Sequence, residues 1–286
     1  MLLLGGYVDD SGRVHDEAQL FPLTGHDEYR LAHLRDGACG AVVTTRLLAQ
    51  CVKRIGSFDP ADKSLIRGLL IGDRDYVIIK LRSLTFGARL DLVLQCPDPQ
   101  CGALMDMTVD LDEIEFERKP VSQLYFKLDV GNETEARGHS LEVRLPNGGD
   151  QEACAALMPD EPAALEELLR RCVRGFDAEV IDREFILSPR VRLEIEKKMS
   201  ELAPRAEIDV ETECPECRHI LGTTIDVASL FLDELVGGLD SLERDVHLLA
   251  WHYHWSEDEI LSMTRPRRRR YVALVQKEVD RLNQVW

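Results

Sequence analysis

Two cysteine pairs, separated by more than one hundred residues, constrain the fold of this chain more than any other feature. The first pair lies in Cys96–Cys101 (CPDPQC) and the second in Cys214–Cys217 (CPEC). Two thiolates on a tight turn supply half of the tetrahedral set that a structural zinc ion needs, and proline favours the turn. One pair alone supplies only two of the four ligands of a structural zinc site. The sequence therefore predicts that both pairs meet around one Zn²⁺, with Cys96, Cys101, Cys214 and Cys217 as its ligands.

Strand-like segments flank both cysteine pairs in the same way. Residues 88–95 and 104–111 surround the first pair, and residues 206–213 and 220–227 surround the second. All four segments partly alternate apolar and polar residues, as half-buried strands do. The chain is thus predicted to contain the same strand–knuckle–strand unit twice, as a weak internal repeat.

The predicted zinc site has a structural role, because four thiolates leave no coordination position open for water or substrate. Two alternatives stay open at this point. In the first alternative, the pairs lie in solvent-facing turns and their cysteines are incidental. In the second, the cysteines form disulfides, which are uncommon in the cytosol. The remaining cysteines are interpreted as small buried apolar residues; they are Cys39, Cys51, Cys154 and Cys172.

Composition and charge exclude some classes of function. With 286 residues, 44% hydrophobic and 30% charged, the chain has the composition of a folded globular protein. Its formal net charge of -17 argues against general binding to a phosphate backbone. No segment approaches the length of a transmembrane helix, and the apolar stretch 1–6 is too short for a signal peptide. We therefore expect a cytoplasmic protein that does not bind membranes.

The predicted fold class is α+β. It comprises a mostly helical body, two zinc-knuckle β-hairpins joined in one ribbon-like site, and an inserted α+β segment. The predicted segments are an N-terminal arm (1–23), a helical segment (24–87), the first knuckle hairpin (88–111), the inserted segment (112–205), the second knuckle hairpin (206–227) and a C-terminal helical segment (228–286).

Three histidines near the C-terminus are candidates for a second metal site. His247, His252 and His254 precede the acidic run 257–259, but none forms the i, i+4 pair of a helical zinc motif. Packed or solvated histidines are the favoured interpretation. The chain also lacks a glycine-rich phosphate loop and a nucleophile elbow. The sequence therefore predicts a protein without enzymatic activity.

One basic block stands out in this acidic chain, at residues 265–270 (RPRRRR). It either docks a partner protein or pairs within the chain with the nearby acidic run 257–259. Binding of nucleic acid is disfavoured by the net charge and by the lack of interleaved aromatic residues. Large aromatic residues and arginines dominate protein interfaces. The candidate partner contacts are Trp251, Trp255, Arg267, Arg268, Arg269, Arg270 and Tyr271.

Three stretches carry a resemblance to a known family: residues 72–87 (GDRDYVIIKLRSLTFG), 187–189 (LSP) and 254–261 (HWSEDEIL). In their order and spacing the chain resembles the baseplate hub assembly proteins of T4-type contractile-tailed phages, and their relatives in phage-tail-like contractile injection systems. The resemblance implies a non-enzymatic part or assembly chaperone that binds other baseplate or hub proteins in the producing bacterial cell. It is compatible with both a transient chaperone and a component retained in the particle.

A zinc-ribbon factor associated with nucleic acid is the alternative hypothesis. It requires a basic ribbon surface, whereas only Arg89, Arg218 and His219 lie near the knuckles. The zinc prediction itself depends on the four cysteines of this chain, since many phage members of the family lack the full set.

Overall fold

The computed structural model describes residues 1–33, 39–129, 140–175 and 188–283. About half of the chain is helical and the strands form small antiparallel sheets, which confirms the predicted α+β class. The helices are α1 (Gly25–His33), α2 (Gly40–Cys51), α3 (Lys63–Gly68), α4 (Ile71–Phe86), α5 (Gly148–Ala155), α6 (Glu161–Cys172), α7 (Pro189–Leu202), α8 (Val227–Gly237), α9 (Leu239–Tyr253), α10 (Glu257–Leu261) and α11 (Arg265–Asn283). The strands are β1 (Leu2–Val8), β2 (Val14–Leu20), β3 (Val52–Ile55), β4 (Arg89–Gln95), β5 (Leu104–Asp110), β6 (Phe126–Asp129), β7 (Ser140–Val143), β8 (Val173–Gly175), β9 (Ile208–Glu213) and β10 (Ile220–Ile225).

The chain divides into two units, each built from three separate segments. The first unit contains Met1–Gln19, Ala38–Val77 and Phe116–Ala206, and the second contains Leu20–Gly37, Ile78–Glu115 and Glu207–Trp286. The six consecutive segments predicted from the sequence stay a prediction.

In the first unit, the N-terminal residues form part of a packed sheet. Strands β1, β2 and β3 form a three-stranded sheet, and Leu3 and Leu4 are buried. The apolar pattern of β3 continues that of α2, but these residues pair with β2 as a strand. A second sheet, β6–β7–β8, packs against α6 and α7 through a buried cluster that includes Leu141, Leu169 and Ile195.

The start of α4 holds several parts of the first unit together. The Asp73 carboxylate accepts hydrogen bonds from three consecutive backbone N–H groups of β1, those of Leu4 (2.6 Å), Gly5 (2.9 Å) and Gly6 (2.8 Å). The Arg74 side chain is fully buried. It donates to the carbonyl of Ile66 and to the side chains of Thr45 and Gln151. Residues 72–74, part of the stretch that resembles the baseplate family, therefore have a structural role in this chain.

In the second unit, buried ion pairs join helices that are distant in sequence. Arg268 on α11 donates from Nη2 to Glu28 on α1 (2.9 Å) and from Nε to Asp245 on α9 (3.4 Å). Arg265 also contacts Glu28, at 2.9 Å. A buried apolar cluster with Leu249, Ile260 and Val272 packs α9, α10 and α11 together. These ion pairs and this apolar cluster hold α1, α9, α10 and α11 together in the second unit.

Arg82 connects α4, α8 and the base of the first hairpin in the same unit. Its guanidinium donates to both carboxylate oxygens of Glu234, at 3.0 and 2.7 Å. Nη1 also donates to the carbonyls of Gly87 (2.6 Å) and Arg89 (2.7 Å). These bonds fix the chain where β4 begins. Among the described residues, no helix combines the length and the apolar character needed to cross a membrane.

Candidate metal centre

Two antiparallel hairpins carry the four predicted ligands, which confirms the strands predicted on either side of each cysteine pair. Strand β4 pairs with β5 from Arg89↔Asp110 to Gln95↔Leu104, and β9 pairs with β10 from Ile208↔Ile225 to Glu213↔Ile220. Each cysteine pair lies in the turn that joins its two strands. Regular pairing up to the turn therefore fixes the direction in which each cysteine enters the site.

The two turns have the same backbone geometry on their C-terminal side. The residue after the second cysteine has a left-handed backbone in both, with φ of 59° at Gly102 and 62° at Arg218. The next carbonyl then accepts a hydrogen bond from the N–H of the first cysteine: Ala103 from Cys96 (2.8 Å), and His219 from Cys214 (2.9 Å). The internal repeat predicted from the sequence thus extends to the turns themselves.

The longer spacing of the first pair is absorbed before its second cysteine. The N–H of Gly102 donates to the carbonyl of Asp98, three residues before Cys101, at 3.0 Å. In the second turn the N–H of Arg218 donates to Cys214, three residues before Cys217, at 2.9 Å. Asp98, three residues before Cys101, therefore accepts the hydrogen bond that Cys214, three residues before Cys217, accepts in the second turn. The two extra residues of the first turn lie on its N-terminal side, between Cys96 and the part that matches the second turn.

The four sulfur atoms meet in one cluster. All four Sγ atoms lie within 4.8 Å of one another. The Sγ atoms of Cys96 and Cys217 are 3.5 Å apart, and those of Cys101 and Cys214 are 3.8 Å apart. A tetrahedron with Zn–S bonds of about 2.3 Å has S···S edges of about 3.8 Å, whereas a disulfide bond is about 2.05 Å long. The arrangement fits a tetrahedral ion and contains four free thiols.

Backbone and burial affect the four thiols differently. Backbone N–H groups of Cys217 and Glu216 lower the pKa of Cys214 to about 7. The N–H of Asp98 also lowers the pKa of Cys96, but burial and the neighbouring thiols outweigh it and raise that pKa to about 12. One thiol of the cluster ionises readily, and its charge opposes ionisation of the next. A divalent cation would remove this repulsion, so the donor set suits Zn²⁺.

The interior of the cluster excludes water on one side. Cys96 and Cys214 are buried and pack against Met105, with Leu94 and Leu221 beside them. Cys217 is exposed, so the site opens toward solvent at one ligand.

The tail histidines do not form a comparable site. Among the described residues, the group of metal-ligating side chains close enough to share an ion is the cysteine cluster. His247, His252 and His254 do not belong to such a group. A further histidine, His26, contacts Asp258 at 3.1 Å on the surface. A second metal site at these histidines therefore has no geometric support in the described part of the chain.

The proposed partner contacts are dispersed between surface and core. Trp251 is 73% exposed, whereas Trp255 stacks on Tyr253 (4.5 Å between ring centroids) and meets the edge of Tyr271 (4.9 Å). Arg268 is fully buried in its ion pairs with Glu28 and Asp245 and is not available to a partner.

The other arginines of the set remain at the surface. Arg269 is bonded to Ser241 at 2.6 Å, while Arg267 and Arg270 are exposed. Pairing within the chain, the alternative expected for this block, is present, but with acidic residues on α1 and α9 and not with the run 257–259. Contact of Arg267, Arg269 and Arg270 with a partner protein stays a prediction.

Two supporting features of the site were missed from the sequence. The left-handed residue after each second cysteine is one, and Gly102 carried a signal for it because glycine favours such backbone angles. The other is Arg82, whose partner Glu234 is 152 residues away and gives no local signal. Both features position the hairpins and not the sulfur atoms directly.

The fold and the site thus define a class: an α+β protein in which two cysteine pairs, distant in sequence, converge in one cluster of four sulfur atoms. Comparison with family models identifies it further. Residues 15–232 match the model described as "T4 bacteriophage base plate protein". Since this match covers most of the chain, the chain belongs to that family, as the sequence resemblance predicted. The match includes both cysteine pairs and ends before the residues of α9 to α11. Comparison with curated proteins and with solved structures gives no match.

Proposed function

We propose that this chain is a non-enzymatic assembly protein of the baseplate hub in a contractile phage tail or tail-like injection system, with a structural Zn²⁺ held by Cys96, Cys101, Cys214 and Cys217. Family membership supports a structural or assembly role in the baseplate. Docking to other baseplate proteins is the mechanism, and the zinc site keeps the docking unit folded.

The convergence of four sulfur atoms from two distant hairpins carries the zinc part of this proposal. Sulfur atoms within 4.8 Å of one another, with all four thiols free, match the donor set of a closed structural site. Bound there, Zn²⁺ would crosslink two hairpins more than one hundred residues apart. Because structural zinc contributes directly to the free energy of folding, its loss should destabilise the unit that contains the hairpins.

Metal analysis of the full chain tests the site. The purified protein should contain about one zinc per chain. The double variant Cys96→Ser/Cys214→Ser should lose the metal and melt on the order of 10 °C lower, as expected when several kcal/mol of stabilisation disappear. The control Cys39→Ser/Cys154→Ser removes two thiols outside the cluster and should retain both metal and melting temperature. Absence of metal from the wild-type protein, or zinc retained by the double variant, would contradict the structural site.

A genetic experiment tests the assembly role separately. Deletion of the gene from the phage or injection-system cluster should stop baseplate hub assembly and leave incomplete tails. Mass spectrometry of finished particles then distinguishes a permanent component, which is present, from a chaperone, which is absent. Complete infectious particles without the gene would contradict the proposal, whatever the zinc content.

The nucleic-acid alternative has little physical support at the hairpins. The charged residues on their outward faces are mostly carboxylates, which include Asp106, Asp209 and Glu211. Such faces would repel a phosphate backbone, because binding to it depends on neutralisation by basic side chains. Binding of the purified protein to DNA or RNA at about 0.15 M salt would be the result that favours this alternative.

A further inference from the structure

An exposed basic stripe lies on α11, opposite its buried side. Arg268, Val272 and Val275 form the buried side of this helix. The opposite side carries positions spaced three or four residues apart, which share one helical face. We call them the basic stripe; they are Arg267, Arg270, Leu274, Lys277 and Arg281, all exposed. The stripe is about 21 Å long at 1.5 Å per residue.

Most of the charge on the basic stripe is not neutralised inside the chain. Arg281 pairs with Glu278 at 2.6 Å. Within the described residues, Arg267, Arg270 and Lys277 have no carboxylate within ion-pair distance. Leu274, 54% exposed, lies between them. In a chain with a net charge of -17, three unpaired cations around an exposed leucine fit an acidic surface with an apolar contact point.

The second hairpin presents such a surface. The outward side chains of β9 are Asp209, Glu211 and Glu213, which alternate with buried or half-buried neighbours. They extend over about 13 Å of strand. Ile220 pairs with Glu213 across the hairpin and is 65% exposed. We call these four residues the acidic face.

Contacts within the hairpin leave most of the acidic face free. Asp209 accepts from Thr224 within the hairpin. Arg218 lies 3.6 Å from Glu213 as an exposed pair, a type of contact that contributes little.

The two surfaces complement each other in charge, each includes one exposed apolar side chain, and both are exposed in the same chain. We propose that the basic stripe of one copy docks on the acidic face of a second copy. Each such contact pairs two different surfaces, so it is either repeated head to tail or made twice, reciprocally, in a two-fold dimer. Like faces would repel each other, which excludes a symmetric contact through either surface alone.

Salt should reveal the nature of this contact. At about 0.15 M ionic strength the Debye length is about 8 Å, so the general repulsion between two acidic chains is screened more than charges in direct contact. Association should therefore be measurable at that ionic strength and should weaken at least fivefold at about 0.5 M.

Sedimentation velocity of the full chain between about 1 and 100 µM tests the proposal. We expect a reversible rise in mass with concentration. Two charge-reversed variants, Arg270→Glu/Lys277→Glu and Glu211→Lys/Glu213→Lys, should each associate at least tenfold more weakly. An equimolar mixture of the two should associate again, because each then offers the surface that complements the other. The substituted side chains are all exposed, and unchanged melting temperatures would show that the variants fold.

A matched control separates local contact from net charge. The variant Arg13→Glu/Lys197→Glu changes the net charge by the same amount and sign as Arg270→Glu/Lys277→Glu, at exposed positions of the first unit. It should associate like the wild type. A wild-type chain that stays monomeric at about 100 µM, or association that neither reversal weakens, would overturn the proposal. A monomeric chain whose basic stripe instead binds another baseplate protein would also overturn it and would assign the stripe to that partner. None of these results bears on the zinc content or on the deletion experiment.

Discussion

At the scale of single residues, Gly72 shows how the backbone can fix a residue type. A Cβ atom at this position would lie 2.0 Å from the carbonyl oxygen of Pro204, far inside van der Waals contact. Gly72→Ala should therefore destabilise the protein by about 1–3 kcal/mol, the usual cost of overpacking. Gly40→Ala is the matched control, because a Cβ there meets nothing within 4 Å. Urea unfolding measures both, and equal stability of the two variants would contradict the contact with Pro204.

Asp150 gives a prediction for pH. Its carboxylate is fully buried and accepts from Arg144 (2.6 and 2.9 Å) and from Arg171 (2.7 Å). Burial raises the pKa of Asp150, but the hydrogen bonds from Arg144, Asn147 and Arg171 outweigh burial and hold it below its usual value. The folded state then binds fewer protons than the unfolded state. The stabilisation is present above about pH 4 and is lost as pH falls through the folded-state pKa.

Asp150→Asn should therefore flatten the acid limb of the stability profile. We also expect a loss of about 3–5 kcal/mol near pH 7, because two partly buried arginines lose their partner. Urea midpoints between about pH 7 and pH 3 measure both effects. Glu161→Gln, an exposed position on α6, is the control and should keep the wild-type slope. A wild-type slope in Asp150→Asn would show that other carboxylates cause the acid sensitivity.

At the scale of elements, the turn after each second cysteine offers a paired test. Arg218 has a φ of 62°, which disfavours residues with a Cβ, whereas Gly102 adopts its 59° without strain. Arg218→Gly should stabilise the protein by about 1 kcal/mol and Gly102→Ala should destabilise it by a similar amount. Melting temperature and the rate of zinc release to a chelator are the measurements.

The control for this pair is Gly222→Ala in β10, where a Cβ would meet nothing within 4 Å. This variant should release zinc at the wild-type rate. A loss of stability in Arg218→Gly would mean that the contact of Arg218 with Glu213 outweighs the backbone strain.

Elements with local causes could be predicted from the sequence, and elements with distant causes could not. Alternation predicted the four hairpin strands. The helix caps at Asp160 and Ser256 also have a local cause, since each side chain accepts a hydrogen bond from a backbone N–H three residues later. Strand β3 could not be predicted from the sequence, because only its pairing with β2 distinguishes it from the end of a helix. The partner of Arg268 is 240 residues away, so the nearer carboxylates were the wrong choice.

The same distinction explains how much of the site was predicted. The candidate ligands could be identified because the two cysteines of each pair are only a few residues apart in the sequence. The support from Arg82 depends on tertiary packing, which the spacing of residues does not encode.

At the scale of the whole molecule, the site belongs entirely to the second unit. All four cysteines lie within Ile78–Glu115 and Glu207–Trp286. A chelator should therefore increase amide hydrogen exchange in these segments, most of all in β4, β5, β9 and β10, because the proposed Zn²⁺ would contribute to their folding free energy. Peptides from the first unit should keep their protection and serve as the internal control. Equal loss of protection in both units would show that zinc stabilises the chain as a whole.

The sequence distance between the two knuckles has a consequence for biosynthesis. Cys96 and Cys101 leave the ribosome more than one hundred residues before Cys214 and Cys217. At about 5–20 residues per second, the first hairpin waits on the order of ten seconds as an incomplete dithiol on the nascent chain. A product that terminates in this interval never completes the donor set. Only chains that extend past Cys217 can bring all four thiols together.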